Sequence, residues 1–317
     1  MKKALILGIN GQDGSFLAEL LLSKNYEVHG LIRRTAKDNL QNIKHIMDEV
    51  TLHYGDLADP ISIQQAINIS KPDEIYNEAD QDHAGISFNI PSYNYDVTGA
   101  AVGRILEIIR NTNTKIKYFQ PLTSNMFGNI EETPQTENTP FFPLNPYACS
   151  KVFAYHTCRM YRKNYDMFVS CAIFYNHESE RRTDNYVTRK ITKSAARISL
   201  GLQDELVLGD LSAKIDWGYA KEYMDAAWNI MQQNEPDDYI IGTGIETSVE
   251  DFVEQTFNYL NLDSKKYVKS SPNLLRPAKN LSLVADYSKA KEHFGFEPKI
   301  LVEDLIKIMV DHDLKSN

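Results

Sequence analysis

The chain has 317 residues, of which 42% are hydrophobic and 24% are charged, as in an ordinary folded protein rather than a disordered one. Its 34 basic and 43 acidic side chains give a net charge of −9, which disfavours general binding to nucleic-acid phosphates. Three cysteines are too few for a disulfide scaffold, and no apolar run is long enough to cross a bilayer. The start of the chain lacks the apolar region of a signal peptide. We therefore expect a cytoplasmic protein with neither nucleic-acid nor membrane partners.

Short apolar runs alternate with helical patterns along the first half of the chain. Strands are predicted at 4–7, 27–32, 74–76, 116–119 and 168–174, with helices at 16–24, 61–69, 99–111 and 147–163. After residue 176 the alternation weakens, and helices are predicted at 188–200, 221–233, 288–294 and 302–311. The pattern predicts an α/β fold with a Rossmann-type doubly wound parallel sheet. We place this sheet in residues 1–175 and a smaller helix-rich domain in residues 176–317, with some exchange of elements between them.

A glycine-rich loop joins the first predicted strand to the first helix. Gly8, Gly11 and Gly14 form a Gly-x-x-Gly-x-x-Gly pattern, which is typical of short-chain dehydrogenases. Such glycines permit a tight turn and let the backbone approach a pyrophosphate at a helix N-terminus. The alternative is that they serve only as turn residues. The predicted cofactor contacts in this loop are Gly8, Asn10, Gly11, Gln12, Asp13 and Gly14.

The end of the second strand indicates which dinucleotide binds. An acidic residue there would hold the ribose hydroxyl of NAD, whereas an arginine accommodates the additional phosphate of NADP. Arg33 and Arg34 follow the strand, and no acid occurs before Asp38. We therefore predict NADP, with NAD as the alternative and a solvated surface role for one arginine still open. Asp56 and Leu57 stand where this fold contacts adenine.

A tyrosine and a lysine lie four residues apart on the predicted helix 147–163. This spacing puts Tyr147 and Lys151 on one face of the helix. A lysine ammonium lowers the pKa of a neighbouring phenol, so that the phenolate can remove a hydroxyl proton during hydride transfer. Thr123 and Ser124, at the end of the preceding strand, could bind the same substrate oxygen. The alternative is a buried tyrosine beside a surface lysine.

Read with their neighbours, these residues resemble the extended short-chain dehydrogenases, and specifically the GDP-mannose 4,6-dehydratase family. The similarity covers nearly the whole chain. The segments that carry it are GINGQDGSFLAELLL (8–22), YEVHGLIRR (26–34), LHYGDL (52–57), PDEIYN (72–77), NHES (176–179), RRTDNYVTRK (181–190), DWGYAK (216–221) and Arg276-Pro277. The resemblance implies a tightly held NADP, a GDP-sugar substrate, oxidation of the sugar C4 hydroxyl by hydride transfer, and a homodimer or homotetramer. It also implies that His177 contacts the cofactor.

One position departs from the family in the catalytic motif. Where the family has Thr-Ser-Glu, this chain has Thr123-Ser124-Asn125. In the family the glutamate takes the C5 proton and helps water to leave from C6, and an amide can do neither. The resemblance therefore implies a GDP-sugar 4-dehydrogenase, acting on a mannose or heptose type of sugar, that stops at the 4-keto sugar. A 4-epimerase is one alternative. A non-catalytic dinucleotide-binding protein is the least favoured, because Tyr147, Lys151 and Thr123 are all present.

A second departure follows the strand predicted at 74–76. The family pattern Asn-Leu-Ala-x-Gln-Ser-His here contains three carboxylates, Glu78, Asp80 and Asp82. One of them could replace the missing base, which keeps a 4,6-dehydratase with a relocated base as an alternative. They could also be solvated.

The substrate contacts implied by the resemblance lie mostly in the second half of the chain. They are Phe88, Asn176, Arg181, Val187, Lys190, Lys214 and Arg276, although packing is the alternative for Phe88. Arg181 and Arg182 lie on a loop that in the family crosses to a neighbouring subunit. In the family an arginine follows the lysine of this motif, whereas here Ile215 follows Lys214. This change fits a different sugar or a different nucleotide base. His83 and His177 have no partners at ligand spacing, and we predict no metal.

Overall fold

A computed structural model of the chain describes residues 1–36, 39–271 and 282–316. Within these ranges the strands are β1 (Lys3–Leu7), β2 (Glu27–Ile32), β3 (Val50–Tyr54), β4 (Glu74–Asn77), β5 (Lys117–Thr123), β6 (Val169–Phe174), β7 (Asn176–Glu178), β8 (Leu206–Leu208), β9 (Lys214–Tyr219), β10 (Asp238–Ile241), β11 (Glu246–Ser248) and β12 (Val268–Ser270). The helices are α1 (Gln12–Ser23), α2 (Pro60–Ser70), α3 (Ala84–Ser87), α4 (Pro91–Asn94), α5 (Ala101–Thr112), α6 (Pro146–Tyr165), α7 (Val187–Ser199), α8 (Ala220–Met231), α9 (Val249–Tyr259), α10 (Ser264–Tyr267), α11 (Ser288–Phe294) and α12 (Val302–Ser316).

The large sheet has the order β10-β6-β5-β4-β1-β2-β3, and its strand pairs are parallel. The direction of winding reverses between β1 and β4, which is the topological switch point where ligands bind in such sheets. Buried side chains of α2, α5 and α6 form a core with one face of the sheet, and those of α1 and α8 form a core with the other. The predicted Rossmann-type doubly wound sheet is confirmed.

A third hydrophobic core lies outside the large sheet. It joins α7, α9 and α12 to the small strands β8 and β9. The strand β10 and the helix α8 follow residue 176 in the chain but pack on the large sheet. The proposed boundary between residues 175 and 176 stays a prediction. The positions of β10 and α8 show that two elements of the second half pack with the first half of the chain.

The local sequence explains how α6 positions Tyr147 and Lys151. The Asn145 side chain accepts a hydrogen bond of 2.8 Å from the Ala148 amide, and Pro146 occupies the first helical position, where a missing amide hydrogen costs nothing. The helix ends at Asp166, whose φ of 51° is left-handed. Tyr147 and Lys151 therefore lie in the first two turns, close to the end of the sheet that carries the ligand site.

Some elements differ from the prediction. The helix predicted at 99–111 begins earlier, because α4 continues through a π-helical segment, Tyr95–Ala100, into α5. The strands β3 and β10 were not predicted. β3 lies at the edge of the sheet and its residues are only partly buried or exposed, while β10 has just four residues. In the described ranges, no helix is long and apolar enough to cross a bilayer.

Candidate active site

A cleft of about 1660 Å³ opens at the carboxyl ends of the parallel strands, between the large sheet and the second half of the chain. Predicted site residues that line it are Gly8, Asn10, Gly11, Gln12, Asp13, Arg33, Asp56, Leu57, Phe88, Thr123, Ser124, Asn125, Tyr147, Lys151, Asn176, His177, Arg181, Val187, Lys190 and Lys214. Among the described residues, Gly14 and Arg34 are predicted contacts that do not line the cleft. Arg276 lies outside the described residues.

The glycine loop forms a cradle at the N-terminus of α1. Gly8 has a φ of +82°, and a Cβ atom there would lie 2.8 Å from the Glu78 carbonyl oxygen. A Cβ atom at Gly14 would lie 2.3 Å from the Gly8 carbonyl oxygen. The Gly11 amide donates to that same oxygen at 3.0 Å. Side chains at Gly8 and Gly14 are thus excluded by close backbone contacts, and Gly11, Gln12 and Asp13 at the N-terminus of α1 line the cleft.

An ion pair joins this loop to the second half of the chain. His177 Nε2 lies 2.9 Å from Asp13 Oδ2, and His177 Nδ1 lies 2.9 Å from the Tyr175 carbonyl oxygen. Burial lowers the pKa of His177, but the Asp13 carboxylate and the Tyr175 carbonyl outweigh this effect, and the net shift is upward. Gln12 adds a hydrogen bond of 3.2 Å to the His177 carbonyl oxygen. His177 therefore lies at the predicted cofactor site with both ring nitrogens already engaged.

The two arginines after β2 have different surroundings. Arg33 is exposed to solvent at the cleft and donates from Nη1 to the Tyr93 hydroxyl at 2.7 Å. Arg34 is exposed and lies off the cleft in the described part of the chain. Arg33 is consequently the arginine whose position suits a ligand phosphate.

The predicted catalytic residues meet on the floor of the cleft. Tyr147 and Thr123 are both buried, and both line the cleft. The Thr123 hydroxyl oxygen also accepts hydrogen bonds from the Asn125 amide at 3.3 Å and from Asn125 Nδ2 at 3.1 Å. Because its oxygen is occupied by Asn125, the Thr123 hydroxyl hydrogen is available to the phenol. Asn125 thus orients the threonine.

The pKa of Tyr147 moves in the direction opposite to the one we expected from the sequence. Burial raises the pKa of Tyr147 well above its usual value, and the negative charges of Asp80 and Asp82 raise it further. The Thr123 hydroxyl acts in the other direction and lowers the pKa of Tyr147. Lys151 Nζ lies 5.6 Å from the centre of the Tyr147 ring, but it contacts Asp80 Oδ2 at 2.7 Å. The expected lowering is wrong for this arrangement, because burial of the phenol is the largest cause of the shift and Asp80 pairs with the ammonium that would oppose it.

The sequence did not predict the contact between Asp80 and Lys151. Of the three carboxylates after β4, Asp80 is paired with Lys151, and Asp82 lies 3.6 Å from Arg182 Nη1 with 52% of its side chain exposed. Glu78 is half-buried, and its Oε1 has no hydrogen-bond partner in the described chain. The sequence did contain one indication of this contact. The strand β4 ends beside the switch point, opposite the first turns of α6. The conformation of residues 78–83 was not predictable from that indication.

The basic residues of the second half have mixed surroundings. Arg181 donates to Ser15 Oγ at 3.0 Å, pairs with Glu19 and stacks on Phe16 of α1. Lys190 Nζ donates to the Val207 carbonyl oxygen at 2.6 Å, and Lys214 pairs with Glu246 at 2.6 Å. These three side chains line the cleft, and each one has an intramolecular partner. A substrate anion would have to share or replace those contacts.

Comparison with known proteins identifies the family. A family model described as GDP-mannose 4,6 dehydratase matches residues 5–309. The chain belongs to the GDP-mannose 4,6 dehydratase family. A relative in this family, GDP-mannose 4,6 dehydratase 2 of Arabidopsis thaliana, is 46% identical over 326 residues that span 99% of this chain and 87% of the relative. The resemblance seen in the sequence is confirmed.

Solved structures share this fold. The UDP-glucose 4-epimerase of Thermus thermophilus in complex with NAD has a TM-score of 0.87 and 22% identity, with 98% of each chain covered. The structure of RMD from Pseudomonas aeruginosa with NADPH has a TM-score of 0.84 and 18% identity, with 100% of each chain covered. At these identities the likeness establishes the fold alone.

The residues of this family member fit a nicotinamide dinucleotide. The glycine cradle leaves no room for side chains at Gly8 and Gly14, so a pyrophosphate can approach the backbone. Asp56 and Leu57 line the same cleft beyond the cradle, and Tyr147 and Lys151 line it at the catalytic end. In the described part of the chain no group of three or more metal-ligating side chains lies together.

Proposed function

We propose that the protein is a nucleotide-sugar-modifying short-chain dehydrogenase that oxidises the C4 hydroxyl of a GDP-sugar with NAD(P). One observation carries the proposal: Thr123, Tyr147 and Lys151 lie together in the cleft that also contains the glycine cradle. The family assignment supports a nucleotide sugar, since the relatives are named for GDP-mannose. The sugar, of the mannose or heptose type, would lie between the cradle and the residues Asn176, Val187, Lys190 and Lys214.

The protein side chains act on the proton of the C4 hydroxyl. Thr123 binds the hydroxyl, and Tyr147, once ionised, takes its proton. A bound nicotinamide dinucleotide, held by the glycine cradle, would supply the hydride acceptor for C4. Burial and neighbouring carboxylates raise the pKa of Tyr147, so the phenol carries its proton near neutral pH. Tyr147 must lose this proton before it can act as the base in an oxidation. We therefore expect the C4 oxidation to become faster as the pH rises above neutrality.

We propose NADP as the cofactor, with NAD as the alternative. Arg33 lies at the cleft and is held by the Tyr93 hydroxyl, an arrangement that suits the additional phosphate of NADP. A homodimer or homotetramer also remains our proposal.

The finer proposal is that the reaction stops at the 4-keto sugar. Asn125 lies in the cleft wall with its amide nitrogen directed to Thr123, and an amide can neither take the C5 proton nor return one to the C6 oxygen. Asn125 would therefore support C4 oxidation by orienting Thr123, but it would not support the loss of water.

A specific observation favours dehydration as the alternative. Glu78 lines the cleft, and its Oε1 atom has no hydrogen-bond partner among the described residues. Burial raises the pKa of Glu78 well above its usual value, and repulsion by Asp13 adds to this effect, while Lys151 opposes it. A protonated Glu78 could give its proton to the leaving C6 oxygen and then, as a carboxylate, take the C5 proton.

The test is a mass spectrum of the products from a panel of GDP-sugars, including GDP-mannose and GDP-heptoses, with NADP or NAD. We expect the wild type to give a product that has lost two hydrogens, with reduced cofactor in equal amount. We expect Tyr147→Phe to lower the rate by at least about a hundredfold, because the proton acceptor is removed. Asn125→Glu should add a product that has lost water.

Other outcomes change the conclusion. Loss of water from the wild type that Glu78→Gln abolishes would establish the relocated acid and base. Unchanged cofactor reduction by Tyr147→Phe would contradict the catalytic proposal as a whole.

A further inference from the structure

We propose that Asp80 is a positioning residue of the active site, which holds the Lys151 ammonium and sets the pH at which Tyr147 loses its proton. The proposal rests on the proposed function for the importance of Tyr147. It goes beyond that function by assigning a role to a side chain outside the tyrosine and lysine pair.

The geometry gives Lys151 a fixed position. Its Nζ atom contacts Asp80 Oδ2 at 2.7 Å and donates to the Pro121 carbonyl oxygen at 2.8 Å. The side chains of Lys151 and Asp80 are 4% and 15% exposed. Two of the three ammonium donors are therefore engaged, away from bulk water, on groups that belong to β5 and to the segment after β4. A pair with so little exposure has a defined orientation, unlike a surface ion pair.

Several other groups face this pair and Tyr147. They are Asp13 from α1, Glu78 and Asp82 from the segment after β4, and Arg182 and Tyr186 from the loop before α7. The pair of Asp13 with His177 and the contact of Asp82 with Arg182 balance two of those carboxylates. Asp80 differs from both because it contacts the catalytic lysine itself.

The contact largely cancels the usual effect of the lysine. An isolated ammonium near a phenol stabilises the phenolate, whereas an ammonium paired with a carboxylate presents almost no net charge to the ring. The Asp80 charge also acts directly on the phenol, where it raises the pKa of Tyr147. Removal of this charge would leave the Lys151 ammonium without the Asp80 carboxylate, 5.6 Å from the centre of the Tyr147 ring. The phenol would then ionise at lower pH.

The experiment measures the ionisation of residue 147 directly. A fluorotyrosine is placed at this position in the full chain, without added substrate, and its fluorine NMR signal is followed as the pH rises. With Asp80→Asn we expect the transition to occur about one pH unit lower than with Asp80 present. Asp80→Ala makes the same charge change, so the result does not depend on one replacement. Asp80→Glu keeps the charge and should keep the transition near its original pH.

A matched control separates the contact from the general charge of the protein. Glu235 is exposed, and Glu235→Gln also removes one negative charge. The proposal is overturned if the transition in folded Asp80→Asn or Asp80→Ala protein occurs at the same pH as in Glu235→Gln. The pH profile of cofactor reduction should shift with the NMR transition. Because the NMR readout needs neither sugar nor cofactor, an incorrect substrate proposal would leave it unaffected.

Discussion

At the scale of single residues, His177 shows how the site fixes a charge. Both of its ring nitrogens face acceptors, namely the Asp13 carboxylate and the Tyr175 carbonyl, and two acceptors require a proton on each nitrogen. The ring also stacks on Tyr223, with the ring centres 4.7 Å apart. The imidazolium is therefore held between an aromatic face and a carboxylate at the base of the cleft.

This pair predicts a particular dependence of stability on pH. The pKa of Asp13 is lowered: burial raises it, but His177 outweighs this effect, so the Asp13 contribution is lost as the pH falls through the lowered pKa. The pKa of His177 is raised, so its contribution is lost as the pH rises through that raised value. The pair therefore stabilises most between the ordinary values of 3.8 and 6.5. We expect Asp13→Asn to lower the free energy of unfolding by about 2 kcal/mol at pH 5.

The measurement is urea unfolding of the wild type and the variant at pH 5 and pH 9. The difference between the two proteins should become smaller as the pH rises through the raised pKa of His177. Asp48→Asn is the matched control, since Asp48 is exposed and no change with pH is expected from it. A difference that grows with pH would contradict the ion pair.

At the scale of elements, the turn from β1 to α1 is fixed by a contact between its own backbone atoms. A Cβ atom at Gly14 would lie 2.3 Å from the Gly8 carbonyl oxygen and 2.8 Å from Ile9 Cα. We expect Gly14→Ala to lower the free energy of unfolding by about 1–3 kcal/mol, because the backbone of the loop must move. We also expect it to weaken dinucleotide binding, although Gly14 itself does not line the cleft of the described chain. Thermal unfolding and a cofactor titration measure the two effects.

Gly103, in α5, provides the control for that substitution. A Cβ atom there would lie 3.7 Å from Thr157 Cγ2, which is an ordinary contact. Gly103→Ala should raise stability by about 0.5–1 kcal/mol, because alanine favours a helix interior over glycine. If both variants lost stability equally, the specific role of the Gly14 contact would be refuted.

Sequence patterns predicted the elements whose local signals agree with their packing. Asn145 and Pro146 mark the start of α6. The spacing of Tyr147 and Lys151 predicted one shared helix face, and both residues line the cleft. The partner of Lys151 was not predictable, because Asp80 reaches it from a segment that is distant in the chain and has no periodic pattern. Burial of the phenol, with the charges of Asp80 and Asp82 beside it, explains why the expected direction of the Tyr147 pKa was wrong. A spacing rule identifies neighbouring side chains on one helix, but it does not predict which charged side chains from distant segments contact them.

At the scale of the whole molecule, the cleft is held together from both sides. Gln12 of α1 accepts a hydrogen bond of 2.8 Å from the Ser179 hydroxyl, and Arg181 reaches Ser15 and Glu19 on the same helix. The helix α1, which follows the glycine-rich loop, and the loop before α7 are therefore directly connected. A ligand that contacts both loops would stabilise the complete fold, and thermal stability would report its binding.

This connection allows the choice between NADP and NAD to be measured without substrate. A ligand at about a hundred times its dissociation constant adds about 2.7 kcal/mol to stability, which corresponds to roughly 5 °C in Tm for a chain of this size. We expect NADP to raise Tm more than NAD at equal concentration. Arg33→Ala should remove this difference, because Arg33 lies at the cleft beside Tyr93. Arg34→Ala should preserve it, since Arg34 lies off the cleft in the described structure.

Equal shifts by the two dinucleotides in the wild type would instead favour NAD as an equally good cofactor. Equal effects of the two variants would mean that Arg33 has no special contact with the phosphate, and that only the positive charge after β2 matters.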